Sequence, residues 1–309
     1  MVPEHKKHKI FIFGCLLWDI ICRPIIDPSV GEDNTGIITE NPGGVAFNIA
    51  SGLSDTLNND SFSIYLVSVT GLSYQTEKQL EKLNDCMIKT NYLLFKGENV
   101  DKYVSVETAT GEIFSSVNSC NVFSDNESLI YGQYSKILAN LKTKNHQSTF
   151  IFDGNLSNNF FSKIAKKPEL RNFNNYFVPA NFKKLHAFSE NLLYFSNFSL
   201  LLNIKEASAL GKRNFDGAVE ACRYLSQLFD NKFSSIVVTN GSKIACGVEK
   251  KKLFMLKPRK LTKKSSRSGA GDFFFANYIA ASLKKPNDSN REKLKYADLR
   301  TYKYLNKQI

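Results

Sequence analysis

Ser268-Gly269-Ala270-Gly271-Asp272 opens directly onto the apolar run Phe273 to Leu283. Small residues thus stand where a loop becomes a helix. Without bulky side chains the backbone N–H groups can approach an anion closely, and the helix dipole adds favourable potential for negative charge. Asp272 would then sit beside a transferred group, where a carboxylate can accept the proton of an attacking hydroxyl. At its reference value of about 3.9 such a carboxyl is ionised at neutral pH without any special shift. A plain glycine turn with a dipole-stabilised acidic residue remains the competing reading of these five residues alone.

Three stretches farther upstream belong with it. Asn41-Pro42-Gly43-Gly44-Val45-Ala46-Phe47-Asn48-Ile49-Ala50 is a second glycine-opened helix. It carries Asn48 one turn in, where an amide can hydrogen-bond polyol hydroxyls, although a tight turn also explains the glycines. Gly14 and Asp19 follow the apolar run Ile10 to Phe13, and a carboxylate there can accept from two adjacent hydroxyls or simply be a surface residue. Asn203-Ile204-Lys205-Glu206 offers an amide and a carboxylate one helical turn apart. That pair suits hydrated Mg²⁺ near phosphates, and it suits a helix cap equally.

Between these stretches, strand and helix patterns alternate. Ile10 to Phe13, Ser63 to Val69, Thr149 to Phe152, Tyr176 to Val178, Ser235 to Thr239 and Ile244 to Val248 read as strands. Gly44 to Leu57, Leu129 to Leu141, Phe160 to Lys166, Asp216 to Phe229 and Ala270 to Leu283 read as helices. Ile25 to Asn41, Tyr92 to Phe95, Tyr103 to Thr108 and Ile113 to Val117, with a turn at Thr110-Gly111, look antiparallel. The pattern predicts an α/β fold with a doubly wound sheet and the early hairpins as a small flap. One domain over residues 1–309 is expected, with a β-lid from about 20–41 and 92–120.

A chain of 309 residues can bury a substantial core, and 42% apolar with 23% charged residues is ordinary globular usage. No apolar run approaches the roughly 18 residues of a membrane span. The six scattered cysteines lack paired metal spacing, so reduced thiols and a cytoplasmic location are expected. A net charge of +12 attracts any anionic partner, but no nucleic-acid motif accompanies it. Its densest clusters are Lys250 to Lys252 and Lys257 to Arg267, a solvated basic face or an aid to phosphate binding.

In their order and spacing, the four stretches resemble the ribokinase-like (PfkB) kinases, whose two signatures are an early GG…N segment and a late G-A-G-D segment. The resemblance runs from Ile10 to about Leu299. It implies a three-layer fold with a central, mainly parallel sheet flanked by helices and a small β-lid. Pro42-Gly43-Gly44-Val45, Gly97-Glu98-Asn99, Thr110-Gly111-Glu112 and Asp153-Gly154-Asn155-Leu156-Ser157 are similar to pseudouridine kinases within that family.

The resemblance further implies that Asp19, Gly43, Gly44 and Asn48 hold the sugar, that Asp272 is the base, and that Gly269, Ala270 and Gly271 form the anion hole. Asn203 and Glu206 would organise Mg²⁺ and phosphate, with Glu206 as the metal-side carboxylate. Lys184, Thr239 and Gly241 would serve ATP. Pairing of two chains through their lids is a family-level expectation. Leu17 replaces a sugar-binding asparagine, Gly71-Leu72-Ser73 lacks the usual Gly-x-Asp, and Ser266-Arg267-Ser268 replaces the acidic-Thr lead, which bears on monovalent-cation support. The chain also ends at Ile309, early for a family that continues through adenine-pocket elements. Alternatives are therefore a kinase for ribose, fructose or adenosine, or a binding-only relative that has lost the nucleotide wall.

Overall fold

The strand His8–Phe13 (β1) places Ile10 and Ile12 in one apolar cluster and Phe11 and Phe13 in another. Successive side chains of a strand face opposite ways, so β1 must be covered on both sides. In the computed structural model, which describes residues 7–142, 147–180, 182, 185, 191, 195, 197–230, 232–261 and 268–307, it lies inside a nine-stranded sheet.

The other strands of this sheet are Phe62–Thr70 (β4), Lys89–Phe95 (β5), Ser148–Asp153 (β8), Asn174–Val178 (β9), Phe198–Asn203 (β10), Ser235–Thr239 (β11), Ala245–Glu249 (β12) and Lys252–Leu256 (β13). Their order is β13-β12-β11-β10-β9-β8-β1-β4-β5. Pairing is parallel from β5 to β11 and antiparallel from β11 to β13. A second sheet of four strands, Leu17–Pro24 (β2), Gly36–Gly43 (β3), Lys102–Glu107 (β6) and Ile113–Ser119 (β7), runs in the order β3-β2-β6-β7. Here β2–β3 and β6–β7 are antiparallel while β2–β6 is parallel.

Helices Val45–Ser54 (α1), Tyr74–Asp85 (α2), Ala270–Lys284 and Asn290–Lys307 supply residues to the cluster around Ile10 and Ile12. The opposite cluster receives Asn121–Asp125 (α3), Glu127–Lys142 (α4), Asn158–Ala165 (α5), Ile204–Gly211 (α6) and Ala218–Leu228 (α7). The two remaining helices, 270–284 and 290–307, are α8 and α9. Aromatic rings fill the second cluster in register: Phe13 stacks on Phe152 at 5.2 Å and Phe11 on Phe150 at 5.5 Å across the β1–β8 pair. Such contacts add about 0.5–1.5 kcal/mol each beyond area burial. The three-layer expectation holds, and no described helix is long and apolar enough to cross a membrane.

One boundary differs from expectation. Tyr92 to Phe95, read with the flap, is part of β5 and pairs in parallel with Val67 to Thr70 of β4. Leu93 is buried on one face of the large sheet, while Tyr92 and Leu94 pack against the cluster on the other. That two-sided burial draws the segment into the main sheet. The lid instead begins at Leu17 and resumes at Lys102.

Candidate active site

Two helices begin in the same way. Gly44 precedes α1 with φ 88°, and Gly269 precedes α8 with φ 72°, backbone that a side chain rarely tolerates. The helices then lie alongside each other in the same direction. Asn48 reaches Asp272, a Cβ on Gly52 would approach that of Ala276 to 2.7 Å, and Thr56 Oγ1 donates to Asn277 Oδ1 at 2.8 Å. Parallel packing brings both positive dipole ends to one point, the opposite of what two helices alone would prefer. An anion is the natural occupant of that point.

Asp272 stands there. Its Oδ2 accepts from Asn48 Nδ2 at 2.9 Å, a bond between residues 224 apart in sequence. Burial pushes its carboxyl up to about 7; Asn48 works against the shift, and the charges of Asp19 and Asp153 add to it. The unperturbed carboxyl expected from sequence is thus corrected. Desolvation disfavours the charged form more than one hydrogen bond restores it.

Asp19, on β2, lies over Gly43 of β3, where any Cβ would collide with its carboxyl. The Gly44 N–H supports it, yet burial pushes it up to about 7. Its Oδ1 is buried with no hydrogen-bond partner among the described residues. A buried acceptor left unmade costs about 1–3 kcal/mol. Asp153, which adds to the field at Asp272, is structural: it accepts from Cys15 N at 3.0 Å and Asn155 N at 2.7 Å.

A cavity of about 670 Å³ separates the lid from α1 and α8. Asp19, Asn48 and Gly269 line it, and so do Arg23, Ile37 and Tyr304, which sequence reasoning missed. Alternation from Asp19 through Ile21 to Arg23 is the signal that could have found Arg23 once β2 was read as a strand. Tyr304 arrives from α9, its ring stacked on Phe273 at 4.1 Å.

The residues expected on the nucleotide side sit at neighbouring strand ends. Asn203 closes β10 and pairs with Thr239 of β11, and Gly241 follows with φ 55° in the turn where Lys243 N donates to Asn240 O at 2.9 Å. Asn203 and Glu206 form a reciprocal capping box on α6: Asn203 N donates to Glu206 Oε2 at 2.7 Å and Glu206 N to Asn203 Oδ1 at 3.0 Å. Burial pushes Glu206 up to about 8, and Asp272 adds to the shift, so the two carboxyls are within electrostatic reach. One Glu206 oxygen is therefore committed to its own helix, and among the described residues no group of three acidic, histidine or cysteine side chains could hold a metal. The described residues do not make a protein-only Mg²⁺ cage. Lys184 lies outside the described residues.

The model of the pfkB family carbohydrate kinases matches residues 7–298. A search of curated proteins returns no significant match. Among solved structures, adenosine kinase from Schistosoma mansoni in complex with 2-fluoroadenosine matches with a TM-score of 0.75 at 15% identity, covering 99% of this chain and 96% of that one. Ribokinase from Giardia lamblia matches with a TM-score of 0.75 at 17% identity, covering 97% and 90%. Phosphofructokinase-2 from Escherichia coli in complex with fructose-6-phosphate matches with a TM-score of 0.73 at 16% identity, covering 98% and 95%. At these identities the likeness speaks to the fold.

Proposed function

The chain belongs to the pfkB family of carbohydrate kinases, ATP-dependent enzymes that phosphorylate sugars or nucleosides, and from that membership we propose that it transfers the ATP γ-phosphoryl group to the 5′-hydroxyl of a nucleoside, pseudouridine foremost. The observation that carries this reading is the Asn48–Asp272 hydrogen bond, which sets a carboxyl where two helix N-termini converge. Asp272 takes the proton of the attacking hydroxyl, the new O–P bond forms as the bond to ADP breaks, and the N–H groups of Gly269, Ala270 and Gly271 face the phosphoryl charge. Asp19, Gly43, Gly44 and Asn48 hold the ribose, with Asp19, which lines the cavity, meeting one of its hydroxyls. Asn203, Glu206, Thr239, Gly241 and Lys184 serve the nucleotide, Asn203 and Glu206 by fixing the start of α6. Mg²⁺ would travel with the ATP phosphates and neutralise their charge.

The choice of pseudouridine rests on the sequence resemblance at Pro42 to Ala50, Gly97 to Asn99 and Asp153 to Ser157. ADP release from Mg-ATP with pseudouridine, uridine, adenosine, ribose and fructose tests both levels. Turnover with pseudouridine above the others is expected. Turnover with another acceptor retains the kinase and discards pseudouridine, and binding without turnover on any acceptor discards the reaction.

The outer lid face, opposite Asp19 and Arg23, carries exposed Ile38, Val104 and Val117 beside Ile20 and Cys22. We propose that a second copy of the chain covers this face. Val117→Lys should lower the mass measured by light scattering to that of one chain; an unchanged mass would exclude the lid as the contact.

A further inference from the structure

Along β2, alternation sends Asp19, Ile21 and Arg23 to the same cavity wall. At about 3.3 Å per residue the row spans about 13 Å, longer than a single sugar ring resting on Asp19 requires. Arg23 ends the row and is pinned there. Its Nε and Nη2 both donate to Oε2 of Glu107, at 2.8 and 2.7 Å, and the Glu107 side chain is wholly buried while that of Arg23 is 33% exposed. Nη1 meets no acceptor among the described residues. A buried ion pair is weak support for stability, but it fixes a planar donor fork in place, so little side-chain freedom is lost when a ligand meets it.

The surroundings suit a flat ring. Ile37, directly across from Arg23 in the β2–β3 pairing, is 68% exposed toward the cavity alongside Ile21. Phe47, Phe273 and Tyr304 line the same cavity from α1, α8 and α9. Apolar side chains with a few placed polar groups, here Arg23 with Thr39 and Asn41 of β3, are the usual make-up of a site that orients a planar ligand.

We propose that Arg23, held by Glu107, selects an acceptor whose far end is a neutral, carbonyl-bearing heterocycle, as in a pyrimidine-type nucleoside, over a free monosaccharide. A guanidinium only donates, so the far end must present acceptors to it, and the carbonyl oxygens of a pyrimidine supply them. Glu107 already balances its charge, which sets a fully anionic far end, such as a sugar phosphate, at a disadvantage. Lys82, also on the cavity, is exposed on α2 and makes the sugar phosphate the competing ligand to test. This selectivity deepens the kinase reading, but it is a statement about binding and can be tested without turnover.

The test is equilibrium binding of pseudouridine, uridine, ribose and fructose 6-phosphate, by calorimetry without ATP. It compares the full chain with Arg23→Lys and with the double variant Arg23→Met/Glu107→Gln, which leaves no buried charge alone. The wild type should bind both pyrimidine nucleosides more tightly than ribose. Each variant should weaken nucleoside binding about 10- to 100-fold more than ribose binding. Should the double variant not fold, Arg23→Lys, which keeps the charge and loses the fork, decides alone. Equal losses for ribose and nucleosides, tighter binding of fructose 6-phosphate, or no nucleoside binding by the wild type would each overturn the proposal. ADP release measured in parallel reports on the kinase reading separately: nucleoside selectivity without turnover sinks that reading and leaves this one standing.

Discussion

Asp272 and Glu206 are both acidic residues in the first turn of a helix, both pushed up by burial, and close enough to feel each other. Their partners differ. Glu206 folds back on its own N-cap and closes a reciprocal box with Asn203, whereas Asp272 is held by Asn48 from another helix. A carboxyl engaged with its own helix end shapes the backbone; one fixed from outside that helix is left to face a ligand. Position within a helix therefore says less about an acid's role than which element supplies its hydrogen bond.

Asp272→Asn puts the most pressure on this contrast. It keeps the size and the Asn48 contact while removing the proposed base, so ADP release should fall about 10²- to 10⁴-fold with acceptor binding retained. If Glu206→Gln costs as much turnover, the contrast between the two acids breaks. Asn48→Leu should come next, lowering kcat/KM by tenfold or more. Because Asn48 holds the Asp272 value down, its loss should move the acid limb of the kcat/KM–pH profile above the wild-type midpoint near 7. An acid limb near 4 in the wild type would remove the buried carboxyl from the chemistry. Glu206→Gln should change turnover only a few-fold, since an amide oxygen can still accept from Asn203 N; a larger loss relieved by excess Mg²⁺ would give Glu206 a metal role after all.

The smallest effect is on stability. A carboxyl whose folded value is about 7, against about 3.9 unfolded, stays protonated in the folded protein after the unfolded chain has released its proton. Stability therefore declines as pH rises from about 4 to about 7 and levels off above. Asp272→Asn removes that penalty, so the variant should be more stable than wild type at pH 8 by at least about 1 kcal/mol, read as a higher unfolding temperature, and equally stable near pH 4. A variant less stable than wild type at pH 8 would show that the Asp272 carboxyl is not strained.

What the sequence disclosed followed from local constraints. Gly44 and Gly269 announce their helices because the backbone there needs φ above zero, and β1 and β8 announce themselves by runs of apolar residues. The polar helix α2 leaves no periodic signal in the sequence, because it buries only Thr76, Gln79 and Leu83, too few for a stripe. Nor does α9, whose many charges mask the buried Leu294 and Ala297. Tyr92 to Phe95 went to the lid because four apolar residues do not reveal which sheet will take them. Arg23 and Glu107 lie 84 residues apart and meet only through the β2–β6 register, and the raised carboxyl values arise from burial that no local pattern encodes.

The parallel pair α1 and α8 also dictates the order in which the site can come into being. Asn48 leaves the ribosome long before its partner 224 residues later, and Tyr304 follows later still. On the proposed assignment, a nascent chain that stops short of Asp272 lacks half of the acceptor site, so ligand would not steady an intermediate during synthesis as it would the finished fold. Contacts this remote in sequence also slow the search for the native state. The gain from acceptor binding would arrive all at once, after the last two helices have been placed.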